Sequence, residues 1–359
     1  MAKLVVTGGS GFLGLHICNR LKDKYDKFLV LDVDELRPEE YPENTEYKKI
    51  DVRDFDALKE SFAGYDAVVH AAAALPLWKP ADIRSVNVNG TKNVLEAAKE
   101  NNIKRVALVS STAVYGVPEK HPIYEDDPRV GVGPYGETKI EAEKICESYR
   151  EKDMVVPIVR PKTFIGTARL GVFQILYDWV EAGALIPVIG NGKNRYQLLE
   201  VQDLVDSIYL MLTKPPETAN DTFNVGAKDT RPVKEYLTEF FSAVDSRSRV
   251  MTTWAPGLIF ILEILWMLRA SPLYKWVYGT AHKDSFVSIE KAEKKLGWKP
   301  RFTEAEALTH AYNWYKEHEK EVKGASGITH RVAWKQGAIG MFKGLMTVLN
   351  TKRKKKPVK

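Results

Sequence analysis

Short apolar runs alternate with amphipathic stretches through the first two-thirds of the chain. Leu4, Val5 and Val6 form a run without polar alternation, as a strand buried on both faces requires. Leu13, Ile17 and Leu21 then recur at four-residue steps, the stripe of a helix packed on a sheet. Phe28 to Leu31 predicts a second strand and Tyr47 to Ile50 a third, and Asp54 is placed to cap a helix running through Phe62. Ala67 to His70, Arg105 to Ser110 and Val155 to Arg160 predict further strands. Between them lie helices from about Asp82 to Asn101 and from Pro134 to Lys152. Repeated strand–helix–strand units imply an α/β fold, a doubly wound parallel sheet with helices on both faces. Ligands of such sheets lie beyond the carboxyl ends of the strands. Asp32, His70–Ala71, Ser110–Ser111 and Arg160–Pro161 all fall there.

After Pro161 the texture changes. Thr222 to Val225 reads as one strand more, and most of the remainder as a small, discontinuous C-terminal cap. The organisation expected is a sheet domain over residues 1–165, with a returning strand near 222–225, and a cap over most of 166–315. An amphipathic helix and basic tail follow over 325–359. Trp254 to Leu268 is nearly apolar all round. Its helix-forming part, about 12 residues against the ~20 needed to span a bilayer, suits a buried or an interfacial helix. Trp334, Ala338, Met341, Phe342, Leu345 and Leu349 line one face of a further helix.

Charge and cysteine content narrow the picture. The formal net charge of +6 is accounted for by Lys352, Arg353, Lys354, Lys355, Lys356 and Lys359 at the C-terminus, leaving a balanced body. That is a basic tail and not a nucleic-acid-binding surface. An apolar helix face beside lysines suits an anionic membrane surface, docking on the core and a solvated tail being the other readings. Cys18 and Cys146 have no metal-ligand spacing and form no disulfide framework, which points to a reducing cytoplasm and to no metal. No charged N-terminal region followed by a long apolar stretch suggests secretion.

Chemistry concentrates at three places. Gly8, Gly11, Phe12, Leu13 and Gly14 turn the first strand into the first helix, whose N-terminal N–H groups and dipole can receive a dinucleotide pyrophosphate. Asp32, ending the second strand, is placed to accept hydrogen bonds from a ribose. Its carboxylate would repel a 2′-phosphate and no arginine directly follows it, so NAD is expected over NADP. Ala71 opens a run of small residues that suits close passage of a cofactor, or plain packing. Tyr135 and Lys139 lie four apart on one helix face, so the ammonium can stabilise the phenolate and make it a useful base near neutrality. The ammonium can also hold a nicotinamide ribose, which places both residues at the cofactor. The Ser110 to Gly116 segment leaves a strand terminus and can offer a hydroxyl to a substrate.

Taken in order, Thr7 to Gly14, Asp32, Asp51–Val52, Asn87 to Val94, Ser110 to Gly116, Tyr135 to Lys139, Arg160–Pro161 and Leu296 to Pro300 resemble the extended short-chain dehydrogenase/reductase superfamily. The likeness covers roughly residues 1 to 315. It implies catalysis by Ser111, Tyr135 and Lys139, contacts from Asp51 and Val52 to adenine, support of the site by Asn87, and a homodimer through the helices starting near Asp82 and Pro134. Two subfamilies fit, nucleotide-sugar epimerases and 3β-hydroxysteroid dehydrogenase-like enzymes. Thr163 stands where the former usually carry an asparagine for the diphosphate, and an arginine before Leu296 is replaced within Ala281 to Asp284, with Arg195 left as a phosphate-type arginine. Losing guanidinium contacts weakens diphosphate binding. The apolar cap then favours a hydrophobic, sterol- or isoprenoid-like small-molecule substrate, with the epimerase as alternative and a non-catalytic dinucleotide-binding subunit as a third reading. The expected location is cytoplasmic, or peripheral on the cytoplasmic membrane face.

Overall fold

The computed structural model describes residues 2–74, 76, 78–151, 153–268, 275–322 and 338–353. Trp334 and the lysines from 354 onward, named above, lie outside them. Contacts divide the chain into two compact units. The first comprises residues up to 164 together with 201–226 and 287–301; the second comprises 165–200, 227–286 and the described residues from 302. Residues 201–226 and 287–301 therefore leave the cap to which most of them were expected to belong. The reason is visible in the pairing of Thr222–Val225 with Ile158–Pro161 and in the Arg105 guanidinium, which donates to the carbonyls of Met211 and Lys214, while buried Trp298 ties 287–301 to the Asp203 carbonyl.

Seven parallel strands form the sheet of the first unit: β1 (Lys3–Thr7), β2 (Lys27–Asp32), β3 (Thr45–Lys49), β4 (Ala67–His70), β5 (Arg105–Val109), β6 (Ile158–Pro161) and β7 (Thr222–Val225). Their order is β7-β6-β5-β4-β1-β2-β3. Apolar strand residues such as Val5, Leu29 and Val68 are fully buried, which is why these strands read as unbroken apolar runs. Helices α1 (Phe12–Leu21), α2 (Phe55–Ser61), α3 (Thr91–Glu100), α4 (Gly133–Arg150) and α5 (Val201–Thr213) cover the two faces, α1 beside α5, and α3 between α2 and α4. Asp54 caps α2 by accepting the Ala57 N–H. Helix α3 is preceded without a break by Pro80–Arg84 and by a π-turn, Ser85–Gly90. Strand β1 pairs with β2 on one side and β4 on the other, so the connections reverse direction there. A crevice for a ligand forms at such a reversal.

The second unit buries Tyr177, Phe240, Leu308 and Tyr315 among helices Val172–Glu181, Val233–Ala243 and Glu304–Glu317. A parallel ribbon, Leu185–Val188 with Arg249–Thr252, carries helix Ala338–Arg353. That helix docks through Lys343, whose ammonium lies 2.6 Å from Asp178, and through Asn350, whose amide reaches the carbonyls of Gly183 and Arg247. Phe342, Leu345, Val348 and Leu349 stay exposed. The helix thus docks, but not by the apolar face that its sequence singles out. Among the described residues no helix is long and apolar enough to cross a membrane, and no cluster of three potential metal ligands occurs.

Candidate active site

Gly8 follows β1 with φ +68°, and the N–H groups of Gly8 and Gly9 close on the Leu31 carbonyl. A Cβ at Gly8 would stand 2.7 Å from the backbone of Ala72, so the turn can form only where the chain leaving β4 passes beside a glycine. This is the place of Ala71, whose N–H donates to the Thr7 carbonyl. A Cβ at Gly14 would lie 2.3 Å from the Gly9 Cα, which fixes how closely α1 meets the turn. Helix α1 starts at Gly11 with no side-chain cap, and its first internal bond runs from the Leu15 N–H to the Gly11 carbonyl. Phe12 and Leu13 are buried, the Phe12 ring stacked on Phe164 at 5.8 Å, so their backbones and not their side chains border the turn. An uncapped helix start beside a turn with no Cβ in the way fits a dinucleotide pyrophosphate.

Asp32 ties this turn to β2. One carboxylate oxygen accepts the Ser10 N–H at 3.0 Å, and the other accepts the N–H groups of Val33 and Asp34. Asp51 pairs with Arg53 at 2.5 Å, and that guanidinium holds its carboxyl below the usual range. Val52 is buried against Gly90, where a Cβ would come within 2.6 Å.

A chain of buried hydrogen bonds runs from β1 to the π-turn. Thr91 Oγ1 donates to the Asn87 carbonyl, so it accepts from His70 Nε2, and His70 Nδ1 in turn accepts from Thr7 Oγ1. Burial, then the charge of Lys139, push the His70 pKa down to about 3, so the imidazole is neutral. The Asn87 side chain accepts the Ala74 N–H at 3.0 Å and donates to Thr138 Oγ1 at 3.1 Å. It braces the residue beside Lys139, and the extra backbone residue of the π-turn is what aims it there.

Tyr135 and Lys139 sit on the first turns of α4, with the Lys139 nitrogen 6.0 Å from the phenol ring centre. Tyr135 is half-buried; Lys139 is buried and donates to the Val109 carbonyl at 3.0 Å. Burial lowers its pKa to about 8. Ser111 Oγ accepts the Ala113 N–H and so caps the turn Thr112–Tyr115. That turn lies against α4 because Gly136 has no Cβ; one would meet the Ala113 carbonyl at 2.7 Å.

Arg160, expected at the ligand edge of the sheet, is instead buried and spent on a structural pair. Its guanidinium contacts both oxygens of Glu143, at 2.9 and 2.7 Å, and donates to the Tyr115 hydroxyl, which donates to Asn224. Ser110 also donates to Glu143, at 2.5 Å. Sequence reading missed Glu143, although it stands one turn beyond Lys139 on the same helix face. The cavity of 590 Å³ in this unit is lined by charged residues such as Arg129, Glu147, Arg150 and Asp221; Arg160 reaches it, but neither the glycine turn nor Ser111, Tyr135 or Lys139 does. In the second unit, the Arg195 guanidinium stacks on Phe286 at 4.4 Å.

A family model described as the NAD dependent epimerase/dehydratase family matches residues 4–226. The chain belongs to the NAD-dependent epimerase/dehydratase family. It is an enzyme, and its cofactor is NAD. As a member of this family it resembles UDP-glucose 4-epimerase 2 of Oryza sativa subsp. japonica, at 28% identity over 352 residues, covering 87% of this chain and 81% of the relative. It also resembles the N-acetyl-alpha-D-glucosaminyl-diphospho-ditrans,octacis-undecaprenol 4-epimerase of Escherichia coli O157:H7. That identity is 32% over 210 residues, covering 57% of this chain and 61% of the relative. The crystal structure of UDP-glucose 4-epimerase with UDP-glucose from Thermotoga maritima matches with a TM-score of 0.73 at 21% identity, over 88% of this chain and 99% of that one, a likeness of fold.

Proposed function

We propose that this family member is an NAD-dependent 4-epimerase acting on a sugar carried by a diphosphate. The observation that carries the reading is the placement of Tyr135 beside the buried Lys139 on one helix face, within a chain of the epimerase/dehydratase family whose relatives named above are epimerases. NAD, when bound, accepts the hydride of a carbinol carbon and returns it. Gly8, Gly11 and Gly14 with the backbones of Phe12 and Leu13 would hold its pyrophosphate, Asp32 a ribose, Asp51 and Val52 the adenine, and Ala71, Tyr135 and Lys139 the remainder, while Asn87, its amide spent on Ala74 and Thr138, supports them from behind. Lys139 stabilises the Tyr135 phenolate, which takes the hydroxyl proton as the carbon becomes a ketone and gives it back after the sugar has turned its other face. Ser111 keeps its own hydroxyl hydrogen to donate to the substrate oxygen.

The comparisons support epimerisation over net oxidation of a sterol- or isoprenoid-like alcohol. The apolar character expected of the substrate is retained in the carrier: Thr163, in place of the asparagine typical of nucleotide-sugar enzymes, and the E. coli relative together favour a polyprenyl over a nucleoside diphosphate. The enzyme is assigned to the cytoplasmic side of the membrane, as a homodimer, with the basic tail drawn to anionic lipid. The test is purified protein given UDP-N-acetylglucosamine and, separately, N-acetylglucosaminyl-diphospho-undecaprenol. Interconversion of sugar epimers without net NADH supports the reading, and stoichiometric NADH from a sterol or polyprenol alcohol would sink it.

A further inference from the structure

Helices at a protein surface turn polar residues outward, and helix Ala255–Met267 does the reverse. Leu262 is its buried residue, while Phe260, Ile261, Ile264 and Met267, with Leu268 just beyond, are exposed. At 100° per residue these positions share one side of the helix with Pro256, and none carries a charge. Glu263, the single acid between 249 and 268, borders that side, about 20° round the helix from Pro256, and is partly buried. Trp254 and Trp266 are exposed near the two ends, and indoles settle at membrane–water boundaries.

Helix Ala338–Arg353 presents a second exposed apolar stripe: Phe342, Leu345, Val348 and Leu349. From residue 338 onward the sequence carries Lys343, Lys352, Arg353, Lys354, Lys355, Lys356 and Lys359 and no acid. The Asn350 amide bonds the carbonyl of Arg247, which with Arg249 is exposed on the segment leading to the first helix. In sequence, the dense run of cations begins at Lys352, two residues after Asn350.

We propose that the second unit anchors the enzyme on an anionic bilayer, with helix Ala255–Met267 lying in the plane of the interface and the basic C-terminus over the headgroups. A helix of this length reaches about 20 Å, too short to cross a hydrocarbon core of about 30 Å. Apolar faces accompanied by charge of one sign match a lipid surface, whereas protein interfaces carry a polar rim of mixed character. The anchor stands independently of the reaction assigned above.

The test is cosedimentation of the full-length protein with vesicles of phosphatidylcholine alone or with phosphatidylglycerol, with NAD binding as the check on folding. We expect binding to the phosphatidylglycerol vesicles. It should fall at least about tenfold in Phe260→Glu/Ile264→Glu/Met267→Glu and in Lys354→Gln/Lys355→Gln/Lys356→Gln, with NAD binding retained. Wild-type sedimentation by the glutamate variant overturns the proposal. So does a wild type that ignores vesicles but loses its self-association in that variant, because a second copy then covers the face. Should the glutamates unfold the chain, tryptophan quenching by brominated lipid decides: it is expected in the wild type and reduced in Trp254→Phe/Trp266→Phe, and its absence from the wild type refutes the anchor.

Discussion

The Lys139 ammonium donates to the carbonyl of Val109, the last residue of β5, in a place only 2% exposed to solvent. This bond joins the helix that carries Tyr135 to the strand that leads into Ser110 and Ser111. It also holds a cation where water is scarce, and burial brings its pKa from 10.5 down to about 8. Between those values the unfolded chain binds a proton that the native chain does not, so stability rises with pH from about 8 to 10.5. Below pH 8 both states are protonated and the whole burial penalty stands. Lys139→Met removes it. Stability measured by urea unfolding should therefore shift in favour of the wild type, relative to the variant, by on the order of 3 kcal/mol as pH rises through that window. Parallel pH profiles would show that the lysine is not desolvated.

Tyr135→Phe keeps the ring that packs against the sheet and removes the acid–base group. Turnover should fall by about 10²- to 10⁴-fold while NAD content is unchanged. Full activity in this variant would give the non-catalytic reading its footing.

His70 tests the buried chain from Thr7 to Asn87. Its pKa lies near 3 in the folded state against 6.5 for the free group, so the native imidazole stays neutral while the unfolded one charges. Stability is therefore lost as pH falls from 6.5 toward 3, by about 1.4 kcal/mol per unit. His70→Leu should be less stable at pH 7.5 through its lost hydrogen bonds, yet show a flatter loss on acidification. Denaturant midpoints at pH 7.5 and 4.5 measure both effects, and an unchanged acid slope would assign the sensitivity elsewhere.

The strands were legible because burial on both faces leaves no polar alternation, and Thr222–Val225 could be read from four residues. Boundaries were less so. Strand β3 starts at Thr45 rather than Tyr47 because pairing with β2, not the apolar Ile50, sets its register. The strand expected from Val155 becomes regular only at Ile158, since Pro157 has no N–H to give. The site was legible in its order of motifs. What was not legible depends on partners distant in sequence: Arg160 is placed at the ligand edge of the sheet until Glu143 is found beside it, and the support expected of Asn87 gains its partners, Ala74 and Thr138, only in the fold. A uniformly apolar segment such as Trp254 to Leu268 has no face to read, so its exposure could emerge only from the packing.

Gly8 and Gly11 separate folding from cofactor binding. At Gly8 an alanine meets two obstacles, φ of +68° and the Ala72 backbone 2.7 Å away, and neither belongs to a flexible side chain. The left-handed conformation alone costs about 1–2 kcal/mol, and the clash adds to it. Gly11 has φ −72°, which any residue adopts, and its nearest obstacle is the Gly8 carbonyl at 3.1 Å. An alanine there is accommodated by a small shift, but its methyl group enters the space that a pyrophosphate would occupy at the start of α1. Gly8→Ala should therefore lower both thermal stability and NAD affinity. Gly11→Ala should lower NAD affinity at least about tenfold with a melting temperature close to that of the wild type, as an obstacle to the ligand alone requires. Calorimetric titration with NAD beside thermal unfolding distinguishes the two. If Gly11→Ala bound NAD as the wild type does, the pyrophosphate would have to lie elsewhere, and the assignment of the first glycine turn would fail.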